Sequence, residues 1–404
     1  MTETSSRPSV GRRRSAVGSP QSSSIPLLFA FPLLLASAAQ ADIPWAPHIR
    51  RVSDHLVAQQ TPHGCIPDAP DALRANTDGA MERALVGLAF GFRFSGSARH
   101  RIAVREGAKW LATCMEKKDP KWAGTWRYAY SAKPPYVALP TSPDGKALDA
   151  RGLSSTCALF PYIVAVYTGV SGDTSLARST RPHVRAALDF ILDHNRSANG
   201  LFYRGWYQNK ETQAWELCPE QRAIDQADVY LGLRAGQWLL GQDRFGVAAD
   251  KLIRELPRLL FDKKERALAT GLDGKGNPFP PIDDCESYFV QGYLAWVFGA
   301  MKETECGMKW LDERLAPDGS FRKKKTDTPY IMPACAYCMG AARLGIYPTQ
   351  LRLAKTWALG IGVTKEGAVR EIADLKSATH NRLACWAILA WVSLMPCPFG
   401  DDTP

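Results

Sequence analysis

Thr156-Cys-Ala-Leu-Phe-Pro-Tyr-Ile-Val-Ala-Val-Tyr-Thr-Gly169 is the stretch on which the reading of the fold turns. Coiled as a helix it is apolar nearly all round, so it has no face to give to water and belongs inside other helices. Ser171-Gly-Asp173 follows as a tight turn, and a charged amphipathic segment then runs to about His194. After it comes Asn199-Gly-Leu-Phe-Tyr-Arg-Gly-Trp206, a loop rich in glycine and aromatic residues. Apolar helix, glycine turn, polar helix and long loop make one unit. The unit recurs.

Further copies begin near Thr77, Asp225, Glu286 and Pro333, and a last apolar segment spans 379–394. A repeat of this kind has to be read before any single helix is weighed. It predicts inner helices near 77–92, 155–168, 225–240, 286–300, 333–344 and 379–394, and outer ones near 47–60, 98–115, 178–194, 245–262, 303–315 and 347–359. The 47–60 stretch precedes the first apolar helix, and the last apolar helix has no polar helix after it. Those two therefore have to meet if the ring is to close. The expected fold class is all-α, an (α/α)6 toroid of six helical hairpins forming one domain over residues 42–404. No strand-length alternation long enough for a sheet competes with it. The long loops gather where inner helices begin, and long ordered loops usually carry function. The cavity is expected at that end.

Residues 1–41 read as a signal peptide. Arg7, Arg12, Arg13 and Arg14 form a basic start, Ile25 to Ala36 an apolar run broken by Pro26 and Pro32, and Ala39-Gln40-Ala41 a cleavage site. The run is too short to cross a bilayer, so cleavage after Ala41 and a secreted or periplasmic protein are expected, with no membrane insertion afterwards. The 404-residue chain carries a net charge of +10. No Lys/Arg run exceeds Lys323-Lys324-Lys325, which is not the basic stripe of a nucleic-acid binder. All ten cysteines lie beyond residue 41. Export allows one or two disulfides, while Cys157, Cys338 and Cys385 fall on apolar helices, where buried thiols are expected.

The rhythm resembles the six-hairpin glycosidase superfamily across roughly residues 46–395. The resemblance rests on Tyr167-Thr-Gly169 with Gly172-Asp173, on Gly200-Leu-Phe-Tyr-Arg-Gly-Trp206, and on Asp225-Gln-Ala-Asp-Val-Tyr-Leu-Gly-Leu-Arg234. It implies an enzyme acting on carbohydrate, with no cofactor and no metal. The Gly200–Trp206 loop is most similar to that of the unsaturated uronyl hydrolases, whose His and Asp are replaced here by Arg204 and Tyr207. Ser154-Ser155-Thr156 stands where those enzymes have a catalytic Asp.

Hydrolysis of a glycosidic bond needs two carboxylates across a cleft. Inner-helix starts supply them, although an Asp there often only caps the helix. Asp225 and Asp228, at i and i+3, share one face of a helix. Asp283-Asp284-Cys285-Glu286 opens the next inner helix. The expected catalytic pair takes one member from Asp225 or Asp228 and one from Asp284 or Glu286. Expected substrate contacts are Trp126, Tyr128, Tyr203, Trp206, Trp215 and Tyr288 as stacking surfaces, with Arg151, Arg204 and His380 as polar partners. The basic balance leans the substrate towards an acidic saccharide.

Three other readings share the scaffold. A polysaccharide lyase would take a uronate C5 proton with His380, Tyr288 or Tyr330. A zinc site would use Asp283, Cys285 and His380, an arrangement similar to the ligands of protein prenyltransferase β subunits. A non-catalytic ring would bind glycan through its aromatics.

Overall fold

The apolar segments of the repeat form helices that bury nearly every side chain, and their polar partners form helices that bury one stripe. This division follows from pattern alone. The computed structural model describes residues 45–77, 80–323, 327–374 and 379–392. The expected signal peptide and Cys397 lie outside the described residues. The helices run α1 (Ala46–Gln59), α2 (Met81–Ser95), α3 (Ala98–Cys114), α4 (Ser154–Ser171), α5 (Ser175–Phe190), α6 (Ala223–Leu240), α7 (Asp243–Leu260), α8 (Cys285–Phe298), α9 (Lys302–Asp312), α10 (Ile331–Leu344), α11 (Pro348–Gly362) and α12 (Asn381–Val392).

Even-numbered helices make the inner ring and odd-numbered ones the outer. Each inner helix packs against the next, and α12 packs against α2, so the ring closes. At that closure the chains nearly touch: a methyl added to Gly87 of α2 would sit 2.8 Å from the Cα of Cys385 on α12. Helix α1 packs against both α2 and α12, sealing the join with fully buried Ile49, Val52 and Leu56. Gly96, Gly172, Gly241 and Gly345 end their inner helices in the left-handed conformation, and Gly299 departs from it. At Gly172 the chain leaves α4 with φ 69°, a left-handed conformation that a side chain would strain.

The all-α reading holds with one addition, and one expectation needs correction. Beside the helices, the loops hold small antiparallel sheets. Arg74–Asn76, Ala129–Ser131 and Ala138–Leu139 form one; Asp149–Arg151, Gly205–Gln208 and Trp215–Cys218 a second; Gln221–Arg222, Gly271–Leu272 and Pro278–Phe279 a third. Their strands run two to four residues, too short for a period of two to register in sequence. The expected disulfides are also missing among the described residues, where nine cysteines are thiols. Cys338 and Cys385 are fully buried in the helical wall, and burial pushes both thiols up to about 12, keeping them protonated.

Candidate active site

Five of the six inner helices send a residue from their first turns into one pocket. Arg83 comes from α2, Ile224 and Asp225 from α6, Glu286 and Phe289 from α8, Met332 from α10, and Arg382 and Trp386 from α12. Arg204 and Arg222 enter from the loop and strand before α6. The pocket holds about 330 Å3, at the small end of ligand sites. It opens at the inner-helix starts, the end expected from the loops.

Its charges are held in chains. Arg222 bridges Glu220 at 2.9 Å and Glu286 at 3.2 Å, and Glu220 lies 3.8 Å from Arg204. Arg382 and His380 each stand 3.6 Å from Glu371 at the rim. Arg83 lies 2.8 Å from Asp228, which also accepts the Tyr293 hydroxyl at 2.6 Å. The Arg83 guanidinium sits 4.7 Å from the Trp386 ring, and Trp386 meets Phe289 edge-on at 4.8 Å. Buried aromatic rings therefore back the charged hydrogen-bonding groups of one concave surface.

Asp225 and Glu286, of the four carboxylates named from sequence, reach the pocket. Asp228 does not line it: its side chain is fully buried behind Arg83. Asp284 caps α8, accepting the Ser287 backbone N–H at 2.8 Å. The capping role weighed against catalysis in the sequence is the one Asp284 takes.

Among the expected substrate contacts, Arg204 lines the pocket. Trp126 is a core residue, 1 % exposed, donating its indole N–H to the Leu111 carbonyl. Tyr288 is equally buried, packed on Trp310 and Phe321, with its hydroxyl donating to the Arg322 carbonyl. Arg151 is sandwiched between Trp122 and Trp215, at 4.6 and 5.7 Å, and pairs with Glu116. Trp206 donates to the Asn195 side chain and packs edge-on against Trp122. Tyr128 and Tyr203 are half-buried in the neighbouring loops and do not line the pocket. Tyr288, Tyr330 and His380 do not line it either, so none of the expected lyase bases faces this cavity. The zinc triad is not assembled: Asp283 pairs with Arg314 at 2.7 Å and His380 with Glu371. Among the described residues no group of three His, Cys, Asp or Glu side chains is arranged to hold a metal ion.

Sequence reading missed Arg83, Arg222 and Arg382, yet a signal was present. Arg83 and Arg382 sit in the first turn of an inner helix and Arg222 just before one, where the helix dipole disfavours a cation. An arginine that accepts that cost in an otherwise apolar segment marks a place where positive charge is used.

No family model matches this sequence, and no curated protein matches it. Solved structures do. Cellobiose 2-epimerase from Bacillus thermoamylovorans B4167 superposes with a TM-score of 0.65 at 10 % identity, covering 85 % of this chain and 98 % of that one. A D-mannose isomerase gives 0.64 at 9 %, covering 88 % and 98 %. The GH76A α-1,6-mannanase from Salegentibacter sp. HEL1_6 gives 0.56 at 8 %, covering 87 % and 98 %. The chain has the six-hairpin (α/α)6 toroid fold. At such identities the likeness reaches the toroid and stops short of its residues. The mouth has to be read from its own chemistry.

Proposed function

We propose that this toroid is an exported carbohydrate-active enzyme, an inverting glycoside hydrolase whose carboxylate pair is Asp225 and Glu286. The observation that carries the reading is that these two groups, from neighbouring inner helices, line one small pocket. Phe289 and Trp386 back it as a buried apolar wall, 1 % and 4 % exposed. The structural neighbours are themselves sugar enzymes by name, which agrees with a saccharide substrate, and the arginines favour an acidic one.

Roles follow from the partners. Glu286, held in place by Arg222, is assigned the base and takes a proton from the attacking water. Asp225 gives its proton to the glycosidic oxygen as the bond from that oxygen to the anomeric carbon breaks. The water oxygen bonds to the same carbon from the opposite face, and the product is inverted.

A panel of acidic and neutral glycans, assayed for new reducing ends, tests this directly. The expected result is cleavage that Asp225→Asn and Glu286→Gln each reduce by a factor of about 10² to 10⁴. A substrate with an activated aryl leaving group should rescue Asp225→Asn alone, since it needs no acid. Azide should rescue Glu286→Gln alone. Products bearing an ultraviolet-absorbing double bond would mean a lyase instead, and binding without any cleavage would mean a glycan-binding ring. The export reading rests on residues 1–41: the mature protein should begin at Asp42 outside the cytoplasm, and recovery of intact Met1 there would refute cleavage. No described helix is long and apolar enough to cross a membrane.

A further inference from the structure

The four arginines of the pocket differ in depth. Side-chain exposure is 11 % for Arg83, 23 % for Arg204, 26 % for Arg222 and 47 % for Arg382. Arg83 is the floor and Arg382 the rim. Behind Arg83, away from the pocket, Asp228 and Tyr293 are almost wholly enclosed. Burial and the adjacent Asp228 push the Tyr293 hydroxyl well above its ordinary range, so it stays a donor to Asp228. Asp228 then accepts from Tyr293 on one oxygen and from Arg83 on the other. Trp386 supports the guanidinium from a third side. Arg83 is thus locked in one orientation, as a recognition group needs to be.

The hydrogen-bond inventory shows what it recognises. Among the described residues, the polar side chains of the lining are four arginines, two carboxylates and the Trp386 indole, with no hydroxyl or amide. Arginine and indole only donate. A neutral sugar offers hydroxyls that donate as well as accept, and two carboxylates, of which Glu286 is already paired with Arg222, leave few acceptors for them. An acceptor-only, planar group matches four donor-only forks far better. The first turns of five inner helices converge on the same space, and their dipoles favour negative charge there as well.

From this geometry we infer that Arg83 is the specificity-determining residue of the mouth, receiving a carboxylate carried by the sugar bound there, and that Asp228 and Tyr293 are its positioning residues. The inference rests on the carbohydrate reading above but not on hydrolysis. A pocket of this volume admits one or two sugar rings, so the anionic sugar occupies the blind end rather than passing through.

Binding of glucuronate and of glucose to the full mature chain, measured by calorimetry, tests it. The wild type should prefer glucuronate. Arg83→Lys keeps the charge but loses the planar fork, and should cut glucuronate affinity about tenfold or more, and glucose affinity by much less. Tyr293→Phe should lower the same ratio by less. Should Arg83→Lys fold poorly, the charge-balanced double variant Arg83→Met/Asp228→Asn gives the same readout. A ratio unchanged in these variants would make Arg83 purely structural and overturn the inference. So would a wild type that does not distinguish the two sugars, whatever the cleavage assays show. A ratio that collapses in a protein that cleaves no glycan would leave the inference standing and remove the hydrolase.

Discussion

At the scale of single residues, charge near an inner-helix start has three fates here. Asp284 caps, Asp228 braces, and Asp225 faces the cavity. These fates predict different variants. Asp284→Ala should cost about 0.5–2 kcal/mol of stability, read by denaturant unfolding, with turnover unchanged. Asp228→Ala leaves the Arg83 cation uncompensated and should cost about 3–5 kcal/mol, with a large loss of soluble protein. Were Asp284→Ala to abolish turnover without lowering stability, the cap assignment would be wrong. Sequence narrowed the carboxylates to four and could go no further. Position along a helix says which face a group is on, but not whether a cation from another helix reaches it first.

Elements meet through small residues and buried charges. Gly87→Ala should destabilise by about 1–3 kcal/mol, because the new methyl presses on the α12 backbone and overpacking outweighs the gain in helix propensity. Gly360→Ala in α11, with nothing within 4 Å of the added methyl, should instead be neutral or stabilising by up to about 1 kcal/mol. Equal effects from the two changes would contradict the tight closure. On the same outer helix Lys355 is 6 % exposed, and burial lowers its pKa. The unfolded chain then binds more protons than the folded one below the ordinary lysine range, so this lysine costs stability at neutral pH and less as pH rises. Lys355→Met should raise Tm at pH 7, with the gap over wild type shrinking towards pH 10. The hairpins were legible because each helix carries its own period. The sheets in the loops were not, being too short to carry one.

On the scale of the whole molecule, the ring depends on its first helix. Deleting residues 42–60 removes fully buried Ile49, Val52 and Leu56, each contributing about 1.5–3 kcal/mol, together comparable to the entire margin of a folded protein. The truncated chain should lose its cooperative thermal transition; a sharp transition retained would mean that α1 is not needed for closure. What the sequence determined by itself is the ring: helix count, the inner and outer roles and the end at which the cavity opens, because hydrophobic periodicity is a local property of the chain that water reads directly. The tertiary structure alone decided which charges face the cavity. Asp225 and Glu286 are separated by sixty residues, and Arg83 lies far from both in sequence. Only ring closure brings α2 and α12 round to α6 and α8, and electrostatic partners are fixed by distance in space, which no spacing along the chain encodes.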